Sequence, residues 1–401
     1  MNILWITLES ILPANSGGRL GVFKRLEQVA KTENVYIFYP YDSEEELKYA
    51  EKLEEYCVEV HSYYRKKDKW NAIKKLYRYP YTVASRNIPE MEEDIKNCLK
   101  NNKIDVINID FPHMCSVMLN IETKVPIVLN EHNIEWKVYQ TISNSQKNLI
   151  KKLAYYIDSY RLKKYEQKIL NCLDIKRIIF VSDKDMQSMI DAGQCRKEVV
   201  SLIPVGADIH NENKKIALDK KTANIIYVGK MSYGPNIEAV QWFVHKVFPI
   251  LKKKIGNIKF YIVGKDPVDK IKELATDDII VTGCVESVDE YYELADLVVL
   301  PLLNGGGVKV KLLEAIGFNK AIVSTSVGVE GTIYSDGESI PVTDDSLQFA
   351  ELCLKVLSSK EYQENIKKRS YDIFLKNYTW KSVGDRYIRV LKEVCNENNK
   401  N

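Results

Sequence analysis

Residues 297–325, Leu-Val-Val-Leu-Pro-Leu-Leu-Asn-Gly-Gly-Gly-Val-Lys-Val-Lys-Leu-Leu-Glu-Ala-Ile-Gly-Phe-Asn-Lys-Ala-Ile-Val-Ser-Thr, read as a buried strand, a glycine turn, a helix and a second strand. Gly305, Gly306 and Gly307 sit at the C-terminal end of the first strand. Without side chains they let main-chain N–H groups approach an anion closely, and the N-terminal dipole end of the following helix adds to the attraction. A diphosphate suits such a bend. Lys311 and Glu314 stand three residues apart on that helix and share a face, which places a cation for phosphate beside a carboxylate for ribose hydroxyls. An ordinary surface ion pair explains Lys311 and Glu314 alone, but not the glycine triplet ahead of them.

Outward from this segment the same pattern repeats. Short apolar runs alternate with longer segments of helical period, as expected of βαβ units carrying a parallel sheet covered on both faces. Strands are predicted at 2–8, 35–39, 58–61, 105–109, 126–130, 177–181 and 199–203, then at 225–228, 259–263, 278–281, 297–301 and 321–324. Val22, Phe23, Leu26, Val29 and Ala30 predict a helix opening just after Gly17 and Gly18, and a second helix is predicted from Pro235 to Lys254. The polar stretch 210–223 has no clear period and is expected to link two domains. Boundaries at 1–209, 210–378 and 379–401 follow, the last segment being a helix with Trp380, Val383, Tyr387, Val390 and Val394 on one stripe.

Composition narrows the class. A chain of 401 residues suits two domains of ordinary size. Lysine plus arginine number 58 against 55 acidic residues, which gives no reason to expect a nucleic-acid partner. The eight cysteines are scattered without a CxxC pair, against both a disulfide framework and a zinc site, so a reducing cytoplasm fits best. The apolar start ends at Glu9 and lacks the basic residues of a secretory signal. No run of apolar residues reaches the length of a membrane-spanning helix, so any membrane contact is expected to be peripheral.

The C-terminal half resembles glycosyltransferase family four. Beyond the glycine loop the resemblance rests on Tyr-Val-Gly-Lys-Met-Ser-Tyr-Gly-Pro-Asn (227–236), Tyr-Ile-Val-Gly-Lys (261–265), Val-Thr-Gly-Cys-Val (281–285) and the helix with Tyr291, Leu294, Ala295 and Asp296. In the N-terminal half it rests on Ser16-Gly17-Gly18-Arg19, Asn130-Glu131-His132-Asn133, Phe180-Val181-Ser182 and residues 203–208. It implies the GT-B architecture, an α/β fold of two Rossmann-like, doubly wound parallel-sheet domains facing a central cleft. It also implies transfer of sugar from a nucleotide diphosphate donor, UDP- or GDP-linked, with retention of configuration, and no metal or other cofactor.

Carried over by position, Glu314 matches the second glutamate of the family's E-x7-E motif and would bind the donor ribose. The first glutamate is replaced by Gly306, leaving the main chain of Gly306, Gly307 and Val308 to face the donor sugar. Lys230 stands where the family directs a basic residue at the diphosphate, with Lys311 or Lys309 as helper. Gly18, beside Gly17, matches a glycine whose backbone closes over phosphate, and Gly283, Cys284 and Val285 match the turn that contacts the base. His132 is the candidate acceptor-side group. A lone histidine after a strand is as readily a hydrogen-bonded structural residue, and Lys230 as readily a solvated charge.

Three function classes remain open on these grounds: a retaining transferase acting on a glycan, glycolipid or glycoprotein acceptor, an epimerase or hydrolase of the sugar nucleotide, and a non-catalytic subunit. The resemblance favours the first. Two basic aromatic stretches lie in the acceptor half: Tyr63 to Tyr81, with Arg65, Lys66, Lys67, Lys69, Trp70, Lys74, Lys75 and Arg78, and Asn148 to Leu170. In the second, Leu149, Ile150, Leu153, Ile157, Tyr160, Lys164 and Lys168 form an amphipathic pattern suited to anionic headgroups or a lipid diphosphate acceptor. A long solvated helix packed on the sheet accounts for it slightly better.

Overall fold

The computed structural model describes residues 1–66, 68–210 and 222–398. The chain divides into two compact units, Met1–Pro204 with Val383–Asn401, and Val205–Ser382. Each is built on one parallel sheet.

The sheet of the first unit is made of β1 (Asn2–Ile6), β2 (Asn34–Tyr41), β3 (Glu59–Tyr64), β4 (Val106–Asp110), β5 (Ile127–Glu131), β6 (Ile175–Phe180) and β7 (Val200–Leu202), in the order β3-β2-β1-β4-β5-β6-β7. The second unit carries β8 (Ala223–Val228), β9 (Ile258–Val263), β10 (Ile279–Gly283), β11 (Leu297–Leu300) and β12 (Ile322–Ser324), in the order β10-β9-β8-β11-β12. All pairings within the two sheets are parallel. All twelve strands fall where apolar runs predict them, because strands buried on both faces read as continuous hydrophobic stretches. In both sheets the order reverses once, between β1 and β4 and between β8 and β11, and such switch points open a crevice at the strands' carboxyl ends.

Helices differ more from expectation. Gly17 and Gly18 are themselves the first residues of the Gly17–Val29 helix, whose cap is Ser16, its hydroxyl accepting the Arg19 N–H. The expected 235–254 helix is a Gly234–Trp242 helix, a π turn at Phe243–Val247 and a Phe248–Ile255 helix. The π turn presents Phe243, Val244 and Val247 to the core. Of the expected linker at 210–223, residues 211–221 lie outside the described residues and Ala223 already belongs to β8. The terminal helix spans Trp380–Asn398. From Val383 on it belongs to the first unit, where Val383, Tyr387, Val390, Leu391 and Val394 are buried beside Trp5 and Leu26.

Candidate functional site

In the second unit, Lys230, the Gly305–Gly307 bend, Lys311 and Glu314 lie around the β8/β11 switch point, whereas Gly283, Cys284 and Val285 follow the edge strand β10. Leu300 ends β11, and the loop to the Val310–Gly317 helix holds Gly305 at φ 119° and Gly307 at φ 72°, conformations that favour glycine. Gly306 has ordinary backbone angles, and a Cβ at either Gly306 or Gly307 would meet nothing within 4 Å. The bend therefore borders open space. No side chain caps the helix that follows. Lys309, at the cap position, instead holds the loop: its ammonium donates to the carbonyls of Gly305 at 3.2 Å and Gly307 at 2.6 Å and lies 3.6 Å from Glu330. Val308 packs partly on the core beneath, near Gly331.

Lys311 projects from the first turn of this helix toward the end of β8. Its Nζ donates to the Tyr227 hydroxyl and to Asn236 Oδ1, both at 2.9 Å, and lies 4.4 Å from the centre of the Tyr227 ring. Tyr227 donates to the same Asn236 oxygen at 2.7 Å, and Asn236 Nδ2 donates to the Lys230 carbonyl at 2.9 Å. A Cβ on Gly229 would stand 2.8 Å from Lys311 Nζ, so a glycine at the strand end is what gives the ammonium its place. Burial pushes the Lys311 pKa down to about 7 against the pull of Glu314. Burial raises the Glu314 carboxyl, opposed by Lys311 and by the neighbouring Tyr292 hydroxyl. Both side chains are half-buried rather than at the surface. Lys230 is exposed and lies 3.6 Å from Asp266. Gly283 ends β10 at φ 70°, with Cys284 exposed behind it and Val285 half-buried against the core.

Gly17, Gly18 and His132 belong to the first unit. A Cβ on either glycine would meet nothing within 4 Å. His132 follows β5 and stacks on Phe111, ring centres 4.2 Å apart. Its Nε2 lies 2.8 Å from Asp110 Oδ1 and 3.0 Å from Arg25. Asp110, at the end of β4, is fully buried and also receives Arg25 at 3.0 Å and the Trp5 indole N–H at 2.6 Å. Burial would raise this carboxyl, but Arg25 and His132 hold it below its ordinary value. Burial and Arg25 lower the His132 pKa against Asp110, so the imidazole is neutral near pH 7. Next to it, burial raises Glu131, carries Glu135 to about 7 and Glu166 to about 8.

Residues 222–359 match the family described as Glycosyl transferases group 1. That segment of the second unit carries the group 1 glycosyltransferase pattern. Over 395 residues, 95% of this chain and 97% of the relative, it is 25% identical to an "Uncharacterized 44.6 kDa protein in cps region" of Klebsiella pneumoniae. Over 221 residues, 48% of this chain and 56% of the relative, it is 24% identical to the lipopolysaccharide 1,2-N-acetylglucosaminetransferase of Salmonella typhimurium. The solved structure of Anabaena HepE in complex with UDP superposes with a TM-score of 0.62 at 15% identity, covering 98% of this chain and all of that one (100%). The fold is GT-B.

Sequence reading missed Tyr227 and Asn236 as partners of Lys311, although both lie inside the quoted 227–236 stretch. It also missed Arg25 and Asp110. Asp110 carries a signal in retrospect, an acidic residue closing the apolar run Val-Ile-Asn-Ile; Arg25 carries none, since it reads as a helix-surface charge. Among the described residues no cluster of histidine, cysteine and carboxylate side chains could hold a metal ion, and no helix is long and apolar enough to cross a membrane.

Proposed function

We propose that the protein is a glycosyltransferase that moves a hexosyl unit from a UDP- or GDP-linked donor to a hydroxyl of a glycan, glycolipid or glycoprotein acceptor, with retention at the anomeric carbon. One observation carries the reading: the Gly305–Gly307 bend, Lys311 and Glu314 meet the Gly229-Lys230 turn at the switch point of a parallel sheet. The relatives support it, since HepE binds UDP and the Salmonella enzyme is named for transferring N-acetylglucosamine in lipopolysaccharide.

As the glycosidic bond breaks, negative charge grows on the departing diphosphate, and donors already in place stabilise it. Main-chain amides of Gly306, Gly307 and Val308 and the ammonium groups of Lys311 and Lys230 fill that role. Glu314 accepts the ribose hydroxyls. The turn at Gly283, Cys284 and Val285 faces the base. Attack on the leaving-group face, with a donor phosphate oxygen taking the acceptor proton, needs no protein nucleophile. His132, neutral and held by Asp110, orients an acceptor hydroxyl.

Thermal-shift screening against nucleotide diphosphate sugars tests this, because a ligand bound only by the folded state raises its stability. A UDP- or GDP-sugar should raise the melting temperature of the wild type and raise that of Glu314→Ala less. No response to any donor sinks the reading. Binding without transfer to any acceptor would instead support a non-catalytic subunit, and turnover to free sugar without acceptor a hydrolase.

A further inference from the structure

The Leu149–Cys172 helix is inverted over its first half. Leu149, Ile150, Leu153, Tyr156, Ile157 and Tyr160 recur at helical spacing, yet they are 79, 81, 59, 55, 48 and 55% exposed. The polar residues of the same turns go inward: Asp158 and Ser159 are buried, and Asp158 accepts the main-chain N–H groups of Tyr81 at 2.6 Å and Thr82 at 3.2 Å. Only beyond Arg161 does the apolar face turn to the core, through Leu162, Tyr165 and Ile169.

A second apolar group stands beside the first. Trp70, Ile73, Tyr77 and Tyr81 are 75, 46, 89 and 39% exposed. Arg161 ties their segment to the long helix by donating to the carbonyls of Leu76 and, at 2.7 Å, Tyr79. Charge along both stretches is net positive, with Arg65 paired to Asp42 and Lys75 near Glu90. The stretch 65–81 contains seven lysines and arginines, of which Lys67 is outside the described residues, and one acid, Asp68; the stretch 147–164 contains six and one acid, Asp158. Both acids are occupied as main-chain acceptors, Asp68 by Trp70 and Asn71.

We propose that the first unit docks peripherally on an anionic bilayer through this face, with the aliphatic and aromatic side chains entering the headgroup boundary and the lysines paired with lipid phosphates. Exposed leucine, isoleucine, tryptophan and tyrosine rimmed by lysine is the composition of interfacial helices. A second copy of this chain is a poorer occupant, since a symmetric contact would set cationic faces against each other. Docking needs nothing from the donor site, so vesicle binding and nucleotide binding fail separately.

The test is co-sedimentation of the full chain with vesicles of phosphatidylethanolamine and phosphatidylglycerol, and with pure phosphatidylcholine as the neutral surface. Wild type should partition at least about tenfold more to the anionic vesicles and be released by salt. Lys151→Glu with Lys152→Glu, and separately Leu149→Ser with Ile150→Ser, should each lose about tenfold or more. All four positions are exposed, so unchanged melting temperatures would show the fold intact. Wild type remaining in the supernatant overturns the proposal, as does a Leu149→Ser, Ile150→Ser variant that binds like wild type. A concentration-dependent dimer in free solution that the same variant abolishes would also overturn it, by showing that a second copy covers the face.

Discussion

At the residue scale the proposed donor site depends on three residues, Glu314, Gly306 and Lys311. Replacing Glu314 by Ala should weaken UDP or GDP binding by about 1–3 kcal/mol, the scale of lost charge-assisted hydrogen bonds, read by calorimetry; unchanged affinity would remove its ribose role. Gly306→Val should abolish donor binding with little change in melting temperature, because its Cβ points into open space from an ordinary backbone conformation. Gly307 is a poorer choice, since φ 72° strains any β-branched residue there. Lys311, pushed down to about 7 by burial, is largely neutral at pH 8, and a bound diphosphate favours its charged form. Binding at pH 8 should therefore take up protons, seen as a dependence of the measured heat on buffer ionisation enthalpy. Lys311→Met should remove that dependence.

At the element scale, β5, the Glu135–Ser145 helix and the Leu149–Cys172 helix bring Glu131, Glu135 and Glu166 together. Burial raises all three carboxyls above the ordinary 4.5. The folded state then holds protons that the unfolded chain has released, so their contribution to stability is full below pH 4.5 and is lost as pH rises through about 7 for Glu135 and about 8 for Glu166. The melting temperature should fall across that window. Glu166→Gln should flatten the fall, and an unchanged slope would show that the carboxylate is not the source. Local periodicity could not reveal this cluster, because each glutamate looks like an ordinary polar residue of its own segment.

At the scale of the whole molecule, the terminal helix completes the first unit. Tyr387 is buried there, stacks on Trp5 and donates to Asn108 at 2.6 Å and Asn130 at 2.9 Å, 279 and 257 residues away in the chain. Tyr387→Phe should cost only about 0.5–1.5 kcal/mol, since Asn108 Oδ1 keeps the Asn130 amide and Asn130 Oδ1 keeps Arg25 as donors, and Tyr387→Ala about 3–5 kcal/mol with the cavity added. Urea unfolding would measure both; equal and negligible losses would show that the helix packs elsewhere in solution.

Periodicity and composition determined the twelve strands, the two-sheet plan and the glycine bend, because parallel strands buried on both faces advertise themselves as unbroken apolar runs and a glycine triplet has few other uses at a strand end. They could also place Lys311 and Glu314 on one face, since spacing of three is a local property of a helix. Tertiary structure alone decided that Lys311 is held by Tyr227 and Asn236, that Arg25 and Asp110 hold His132, and that the apolar stripe from Leu149 to Tyr160 faces outward. A periodic pattern tells which residues share a face but not which surface that face meets. That choice is made by contacts between segments far apart in the chain, whose burial energies no local window contains.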